Sequence, residues 1–268
     1  MVADPIQIIF SIITVTIIAI FSLKVKMIDK AGSIAAEFVG CSILIFGGVE
    51  WFIVLLAFFI ATGLFTKYKY EQKIKLNAAE ERGGARTWKN VLANGVIASI
   101  SAIGFRISSE KLFIASFIGA IGTSTADTLA TEIGLLSHKK PRLITNLNLT
   151  VEPGISGGIS FLGEAASILG LLLIGLVTWI IKFEKISLLK GLIIILISGF
   201  LGSTLDSLLG ASVQAVFRCS KCGEDTEKKL HCNQLTNHIK GYRILDNDIV
   251  NLISTIFGAS VAIFVSIL

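Results

Sequence analysis

The chain contains several segments of about 18–25 residues almost without charge, each long enough to cross about 30 Å of hydrocarbon as an α-helix. Hydrophobic residues make up 53% of the 268 residues and charged residues 16%, against about 45–50% and 25% in soluble domains. This deviation excludes an ordinary cytosolic enzyme. The sequence therefore predicts an all-α polytopic membrane protein.

Eight apolar segments lie between polar breaks, and we expect them to form one transmembrane domain over residues 1–268. Spans two and three are short, and only a brief polar break at 47–50 separates them. The alternative for this pair is a single re-entrant hairpin. Two longer loops are predicted, one at 67–89 with a surface helix and one at 217–245 that contains Cys and His. The predicted spans are 6–23, 33–48, 50–66, 90–105, 112–136, 157–181, 188–214 and 248–267.

Basic residues indicate the orientation of the spans, because cytoplasmic loops retain Lys and Arg during insertion. Of the 24 Lys and Arg residues, 19 fall in the loops after spans one, three, five and seven. We therefore expect these loops in the cytoplasm and both termini outside. No Lys or Arg precedes span one, and three lysines follow it, so we expect it to remain as an anchor rather than to be cleaved.

Five acidic residues lie inside predicted spans, where a charge is costly and usually marks a pathway or a site. In the predicted orientation each lies in or near the cytoplasmic half of its span, beside small and polar residues from six spans. Small residues also serve ordinary packing between membrane helices. Six such segments at one depth nevertheless favour a functional site. The acids are Glu37, Asp127, Glu132, Glu164 and Asp206.

A short repeat links spans five and seven. STADTL (124–129) matches STLDSL (203–208), and both copies would enter the membrane from the same side, as parallel repeats. Each copy offers one carboxylate, Asp127 or Asp206, with flanking hydroxyls. Two such acids at a shared centre would repel unless a cation lay between them, and hard oxygen ligands around a phosphate suit Mg²⁺.

Helical geometry selects the neighbours of these acids. Arg86, Asn90 and Asn94 lie along one face at four-residue spacing, with Lys89 beside them. Asp127 and Glu132, five residues apart, point about 140° away from each other on a straight helix. Either Glu132 has another role, such as pairing with a basic residue, or the Gly- and Ser/Thr-rich stretch breaks the helix, as in some membrane proteins that bind buried charged ligands.

Two loop segments carry basic residues, and the first of them allows two interpretations. Lys139, Lys140 and Arg142 would bind phosphate or simply anchor the loop in the cytoplasm, and the glycines of 154–158 would let backbone approach a phosphate at a helix start. The 67–82 segment is predicted to be a surface helix without a chemical role.

Three of the four cysteines form a cluster in the second long loop. Together with His231, they supply a Cys₃His set that would suit zinc, since a cytoplasmic location disfavours a disulfide. Free thiols are the alternative, because adjacent His and Cys ligands are awkward for one tetrahedral site. The residues concerned are Cys219, Cys222, His231 and Cys232.

Five long motifs resemble an integral-membrane family that includes the plant phytyl-phosphate kinase of the vitamin E pathway, the animal transmembrane protein nineteen and many archaeal members. The resemblance covers about residues 30–260, nearly the whole chain, and its cysteine cluster is also similar. The motifs are RTWKNVLANG (86–95), GTSTADTLATEIG (122–134), PRLITNLNLTVEPGISGGISFLG (141–163), GSTLDSLLGASVQ (202–214) and LDNDIVNLIST (245–255).

The resemblance implies a CTP-dependent kinase that phosphorylates a phytyl- or geranylgeranyl-like monophosphate at the cytoplasmic face of a prokaryotic or archaeal cell membrane. We expect Asp127 and Asp206 to hold Mg²⁺, with Lys89 and Asn94 acting beside them. Phosphate and nucleotide contacts are assigned to Arg86, Asn90, Ser124, Arg142, Ser203, Asp246, Asp248 and Asn251.

Two alternatives stay open at this stage. A transporter or lipid flippase also uses intramembrane acids and glycine-interrupted helices, although the external halves of these spans hold few polar residues. A cytidylyltransferase acting on a lipid phosphate would need a similar site. A nucleic-acid partner is not expected despite the net charge of +5, because the basic residues lie beside the membrane and form no known binding module.

Overall fold

A computed structural model describes residues 4–268 of the chain. Eight helices of 17–25 residues dominate that part of the chain, joined by short helices and strands. The helices are α1 Pro5–Lys24, α2 Lys30–Phe46, α3 Val49–Lys67, α4 Tyr70–Lys75, α5 Glu81–Gly84, α6 Trp88–Ser108, α7 Leu112–Gly134, α8 Phe161–Ile180, α9 Leu188–Ser212 and α10 Asn247–Ile267.

The prediction of a helical membrane protein with about eight spans is confirmed. Over the described residues, seven helices are long and apolar enough to cross a membrane, and α2, with 17 residues, is slightly shorter than these. Of the two alternatives for α7, the broken helix is excluded, because α7 runs without interruption from Leu112 to Gly134. Glycine costs helix stability in water, but close packing against neighbouring helices keeps α7 regular.

The long loops contain short strands that the sequence analysis did not predict. One sheet has the order β2-β1-β3, another has the order β5-β4-β8, and a separate hairpin joins β6 to β7. Most of these strands have only two to four residues, too few for a clear alternating pattern. The strands are β1 Arg142–Leu143, β2 Asn146–Thr150, β3 Gly158–Ile159, β4 Val216–Arg218, β5 Asp225–Thr226, β6 Leu230–His231, β7 Gln234–Leu235 and β8 Asn237–Lys240.

Successive long helices run antiparallel, so the loops collect at two ends of the bundle. We call the end formed by the loops 25–29, 68–87, 135–160 and 213–246 the polar end. Contacts between loops of the same end support this division. At the polar end Lys89 lies 3.6 Å from Asp246, and at the opposite end Lys190 donates to the Ser266 carbonyl.

Helices α2 and α3 are two full-length helices rather than a re-entrant hairpin. Their connection at Gly47 and Gly48 reaches the opposite end of the bundle. There Gln7, near the start of α1, donates to the carbonyl of Ile45, and Glu50 accepts from the backbone of Glu184 between α8 and α9. The pair therefore extends from the polar end to the opposite end and back.

Helix α7 forms the centre of the bundle and packs against α3, α6, α8, α9 and α10. Glycines allow its backbone to approach two of these neighbours. A Cβ added at Gly199 of α9 would lie 3.0 Å from the carbonyl carbon of Gly122, and one at Gly119 would lie 2.5 Å from the Gly258 oxygen of α10. These contacts bring the polar halves of α7, α9 and α10 together.

Candidate functional site

Two carboxylates from different helices meet near the polar end. Asp127 lies on α7 and Asp206 on α9, and their carboxyl groups are close enough for a hydrogen bond between them. The two helices run in the same direction, as the predicted parallel repeat requires. Two ionised carboxylates this close repel one another, so the pair needs a shared proton or a cation.

Helix α10 contributes the polar neighbours of Asp206. In the amide orientation that gives both of its atoms partners, Asn251 donates to Asp206 Oδ2 at 3.1 Å and to the Asn247 carbonyl at 3.2 Å. The buried hydroxyl of Ser254 also lies beside Asp206. The sequence predicts a role for Asn251. It does not mark Ser254, because a serine at this position has the pattern of an ordinary small packing residue in a membrane helix.

Arg86 lies between the acidic pair and the start of α6. Its Nη1 donates to Asn90 Oδ1 at 2.8 Å, and its buried Nε has no hydrogen-bond partner in the described structure. Burial lowers the pKa of Arg86, and the nearby carboxylates of Glu80 and Asp127, among others, oppose this by favouring the charged form. A guanidinium with an unused buried donor is suited to bind an anion.

The backbone at Arg86 is fixed against the entry to α2. Its N–H donates to the Met27 carbonyl and its own carbonyl accepts from Asp29, so the segment pairs with the residues before α2 like a short parallel strand. Gly32 packs directly against the Arg86 carbonyl, which leaves no room for a side chain at that position. The position of the guanidinium therefore rests on backbone contacts.

Two further carboxylates reach the site from loops and were missed in the sequence analysis. Glu80 precedes α5 and is exposed on its solvent side, and desolvation by the protein atoms around it, followed by the charge of Glu132, raises its pKa. Glu227 lies in the 213–246 loop, and burial raises its pKa although Ser156 donates to the carboxylate. Neither acid lies in a span or a repeat, so no local pattern marks it.

The prediction that 67–82 is a surface helix without a role is wrong, because Lys73 in this segment is buried and forms an ion pair. Only Tyr70–Lys75 is regular helix there, and the Lys73 side chain is fully buried. Its Nζ lies 2.5 Å from Glu132 Oε2 and also donates to the Phe65 carbonyl. Glu132 thus pairs with a basic residue, which was one of the two predicted alternatives, and α7 needs no break.

Other predicted residues have roles that structural contacts already account for. Asp246 caps α10 by accepting from the Ile249 N–H at 3.2 Å and pairs with Lys89, whose side chain is half exposed. The Asn94 amide donates to the Asn90 carbonyl, and the Ser124 hydroxyl donates to the Asn94 carbonyl.

Two of the remaining predicted residues lie near the centre. Ser203 is buried on α9, one turn before Asp206. Asp248, in the first turn of α10, is close enough for its charge to act on Glu80. The assignment of both residues as phosphate or nucleotide contacts stays a prediction.

Arg142 and the adjacent glycines are not brought to the acidic pair by any contact in the described structure. Arg142 is exposed on β1 and donates to the Leu147 carbonyl within its own hairpin. The helix after the glycines begins only at Phe161, and Gly157, with a φ of +75°, packs closely against Ala211 of α9. The predicted helix start at 154–158 is therefore wrong, and the glycines serve loop packing.

The Cys and His side chains of the 213–246 loop converge. Their ligand atoms all lie within 4.8 Å of one another, as one tetrahedral metal ion requires. The β6–β7 hairpin explains how adjacent residues share the site, because its two loop residues, Cys232 and Asn233, have φ of +53° and +60°, typical of a type I′ turn. A hydrogen bond from the Cys222 backbone is the main cause that lowers the pKa of Cys219 to about 6.

With the facing pair included, the centre contains five acidic and three basic side chains. A centre with this excess of carboxylates favours bound cations, and carboxylate and amide oxygens suit Mg²⁺. The acids are Glu80, Asp127, Glu132, Asp206 and Glu227, and the bases are Lys73, Arg86 and Lys228.

These features define a polytopic membrane protein with an acidic centre near one end of its helical bundle. The family model described as integral membrane protein DUF92 matches residues 13–259. The chain therefore belongs to this integral-membrane family, and the family predicted from the motifs is confirmed.

Relatives from archaea and plants match most of the chain. An uncharacterised membrane protein of Methanocaldococcus jannaschii is 33% identical over 97% of this chain and 94% of its own length. Protein PGR of Arabidopsis thaliana is 31% identical over 96% of each chain. The chloroplastic protein VTE6 of Arabidopsis thaliana is 26% identical over 90% of this chain and 66% of its own length. No solved structure matches the chain.

Proposed function

We propose that this protein is a prenyl-phosphate kinase that transfers a phosphoryl group from a nucleoside triphosphate, CTP by family resemblance, to a prenyl monophosphate. The observation that carries the proposal is the facing pair Asp127 and Asp206, with Arg86 beside it, near one end of a membrane bundle. A lipid phosphate keeps its tail in hydrocarbon and its head at this depth, where a nucleotide from water also reaches it. Membership of the family supports the same function.

Mg²⁺ fits the facing carboxylates, because hard oxygen ligands and an acidic surrounding are what the ion prefers. Asp127 and Asp206 would hold it, and when bound it would neutralise charge on the transferred phosphoryl group. Asn251 keeps the Asp206 carboxylate in place through its hydrogen bond. Arg86 binds oxygens of the acceptor phosphate, and Asn90 orients the guanidinium.

The transfer needs no strong general base, because a phosphate monoester is largely ionised at neutral pH. An oxygen of the acceptor phosphate forms a new bond to the γ-phosphorus of the nucleotide. The bond from that phosphorus to its bridging oxygen breaks, and the electron pair leaves with the nucleoside diphosphate. Positioning and charge neutralisation by the side chains are the main requirements of such a step.

We propose that the nucleotide binds in a cavity at the polar end. This cavity encloses about 670 Å³, including its open mouth, between the 135–160 and 213–246 loops. Gly210, one turn beyond Asp206, lines it together with Ser156 and Glu227. A nucleotide held there would lie beside the acidic centre, and the predicted orientation would have it enter from the cytoplasm.

We further propose that the Cys₃His cluster binds a structural zinc ion. The convergence of three thiols and one imidazole within 4.8 Å supports this role. Zinc would fix the 213–246 loop, which carries Glu227 to the centre.

Product analysis tests the proposed reaction. Purified protein in detergent would be incubated with a prenyl monophosphate, Mg²⁺ and each nucleoside triphosphate in turn, and lipid products identified by mass spectrometry. A prenyl diphosphate with matching nucleoside diphosphate is expected, most rapidly with CTP. A nucleotidyl lipid with pyrophosphate would instead identify a cytidylyltransferase, and the absence of any turnover would favour a transporter.

A further inference from the structure

A largely apolar cavity lies inside the bundle next to Arg86. It encloses about 650 Å³, including its open mouth, between α1, α2, α3 and α6. It exists because α2 packs mainly against α1 and α6 and contacts α3 much less, which leaves space between α2 and α3. Its apolar lining includes Val15, Ala36, Val39, Phe52, Leu55 and Phe59.

Aromatic side chains fill the bundle beyond the deep end of this cavity. Trp51 is fully buried, stacks on Phe105 with ring centroids 5.3 Å apart and contacts Phe117 at 4.5 Å. Its Nε1 donates to Glu184 Oε1 at 2.8 Å, which fixes the indole at the opposite end of the bundle. The adjacent Phe52 lines the cavity. Of the α3 residues that line the cavity, Phe52 lies nearest the opposite end of the bundle, next in sequence to the fixed indole of Trp51.

The shallow end of the cavity is polar. Arg86, Asn90 and Asn94 line it there, and Arg86 is also the residue whose charge acts on Asp127. Within the part of the chain that the structure describes, the buried Nε of Arg86 has no hydrogen-bond partner. The guanidinium of Arg86 thus lies at the border between the apolar cavity and the acidic centre. The described residues that line the cavity include no carboxylate.

We propose that this cavity binds the hydrocarbon tail of a single-chain lipid monophosphate, with the phosphate on Arg86, and that Phe52 limits the length of the tail. The proposal rests on the proposed function and adds the binding site and length selection of its acceptor. An apolar lining with one anion-binding residue at its mouth matches a molecule with one tail and one anionic head.

The depth of the cavity agrees with a short tail. Its lining runs from Phe59 to Phe52 along α3 and from Ser22 to Val15 along α1, in each case seven residues, or about 10 Å at 1.5 Å per residue. An extended hydrocarbon chain advances about 1.25 Å per carbon with bonds of about 1.5 Å. The lined part of the cavity therefore accommodates roughly 8–10 carbons in line, about the main chain of two isoprene units.

Binding measured without nucleotide tests this proposal separately from catalysis. A series of isoprenyl monophosphates with one to five isoprene units, and straight-chain alkyl phosphates of matched length, would compete with a fluorescent isoprenyl phosphate on the full-length protein. We expect affinity to rise with tail length up to about two units and then to level off or fall. Tighter binding of the isoprenyl series would identify the branched tail as the preferred ligand, and equal binding would broaden the ligand to single-chain phosphates.

Two substitutions in the cavity should change the length preference in opposite directions. Ala36→Phe fills the space and should weaken binding of long tails at least tenfold, with a smaller effect on the shortest. Phe52→Leu enlarges the deep end and should shift the optimum to longer tails. The matched control is Ile34→Phe on the same helix, because Ile34 is 72% exposed on the surface outside the cavity, and it should bind like wild type.

The outcomes separate this proposal from the kinase proposal. Length-dependent binding that changes with Ala36→Phe and Phe52→Leu, in a protein without kinase activity, would support the cavity and contradict the reaction. Prenyl-phosphate turnover with an unchanged length preference in both folded variants would overturn the cavity. Phe52→Leu only removes volume, so it keeps the test valid if Ala36→Phe fails to fold.

Discussion

At the scale of single residues, the facing carboxylates provide the sharpest test of the site. Asp127→Asn and Asp206→Asn keep the side-chain shape but remove a charged oxygen ligand. We expect each change to lower kcat at least 100-fold, which corresponds to about 2.7 kcal/mol of transition-state stabilisation. Steady-state kinetics with a prenyl monophosphate and CTP measures the effect.

Glu164→Gln supplies the matched control for these substitutions. Glu164 is also an acid near the polar end, in the first turn of α8, but it lies outside the acidic centre. This variant should keep wild-type activity. Full activity of either Asp→Asn variant in folded protein would remove that residue from the site.

The buried pair Lys73 and Glu132 predicts a large effect on stability. Lys73→Met would leave the Glu132 carboxylate, whose side chain is 5% exposed, without its partner, which costs about 3–5 kcal/mol in typical buried pairs. The double variant Lys73→Met with Glu132→Leu removes both charges and should recover most of that loss. Denaturant unfolding in detergent measures both values, and equal destabilisation by the single and double variants would contradict a buried ion pair.

The sequence predicted the intramembrane half of the site better than the loop half. Asp127 and Asp206 were identified because charges inside spans are costly and because their motif repeats. Arg86, Asn90 and Asn94 were grouped by helical spacing, and the grouping agrees with the shared cavity that they line. Glu80 and Glu227 could not be predicted, since loop acids are common and only tertiary packing places these two beside the acidic centre.

At the scale of elements, the close contact between α7 and α9 should control the distance between the two carboxylates. Gly199→Ala would place a Cβ 3.0 Å from the Gly122 backbone, which cannot move aside as a side chain could. We expect the helices to separate, with a loss of about 1–3 kcal/mol in stability and at least a tenfold lower kcat.

Gly191→Ala on the same helix is the matched control. The nearest atom to its added Cβ is 3.4 Å away, an ordinary contact, so activity and melting temperature should stay near wild type. A Gly199→Ala enzyme with wild-type turnover would show that the reaction does not depend on the close approach of α7 and α9.

The Cys₃His cluster of the 213–246 loop predicts that the protein contains zinc, and the zinc content can be measured directly. Mass spectrometry of the purified protein should find about one zinc per chain, as four converging ligands would hold a single ion. Cys222→Ser should lower this content strongly and make the 213–246 loop sensitive to protease. Cys41→Ser, in α2 and outside the cluster, should retain zinc, and a zinc-free wild-type protein would favour the alternative of free thiols.

The helices were largely predictable, whereas the loop strands were not. Long apolar segments define a span by length alone, so most predicted bounds agree with the helices to within a few residues. The span predicted at 157–181 started too early because Gly158 and Ile159 form β3 before the helix begins at Phe161. A two-residue strand depends on its partner strand rather than on its own pattern.

At the scale of the whole molecule, the distribution of basic residues predicts which side of the membrane the polar end faces. The loops that carry 19 of the 24 Lys and Arg residues all belong to that end of the bundle. Because such loops resist translocation, we expect the polar end in the cytoplasm and both termini outside. The acidic centre would then face the compartment in which nucleoside triphosphates are made.

Labelling with a membrane-impermeant thiol reagent tests this orientation. Lys139→Cys places an exposed thiol at the polar end, and Lys111→Cys places one at the opposite end. In intact cells only Lys111→Cys should gain labelling over wild type, since its loop would face outward. Inside-out vesicles should reverse the pattern and label Lys139→Cys. Labelling of Lys139→Cys in intact cells would put the acidic centre on the external side, where a soluble nucleotide donor is scarce, and a phosphoryl transfer at that centre would then lack its donor.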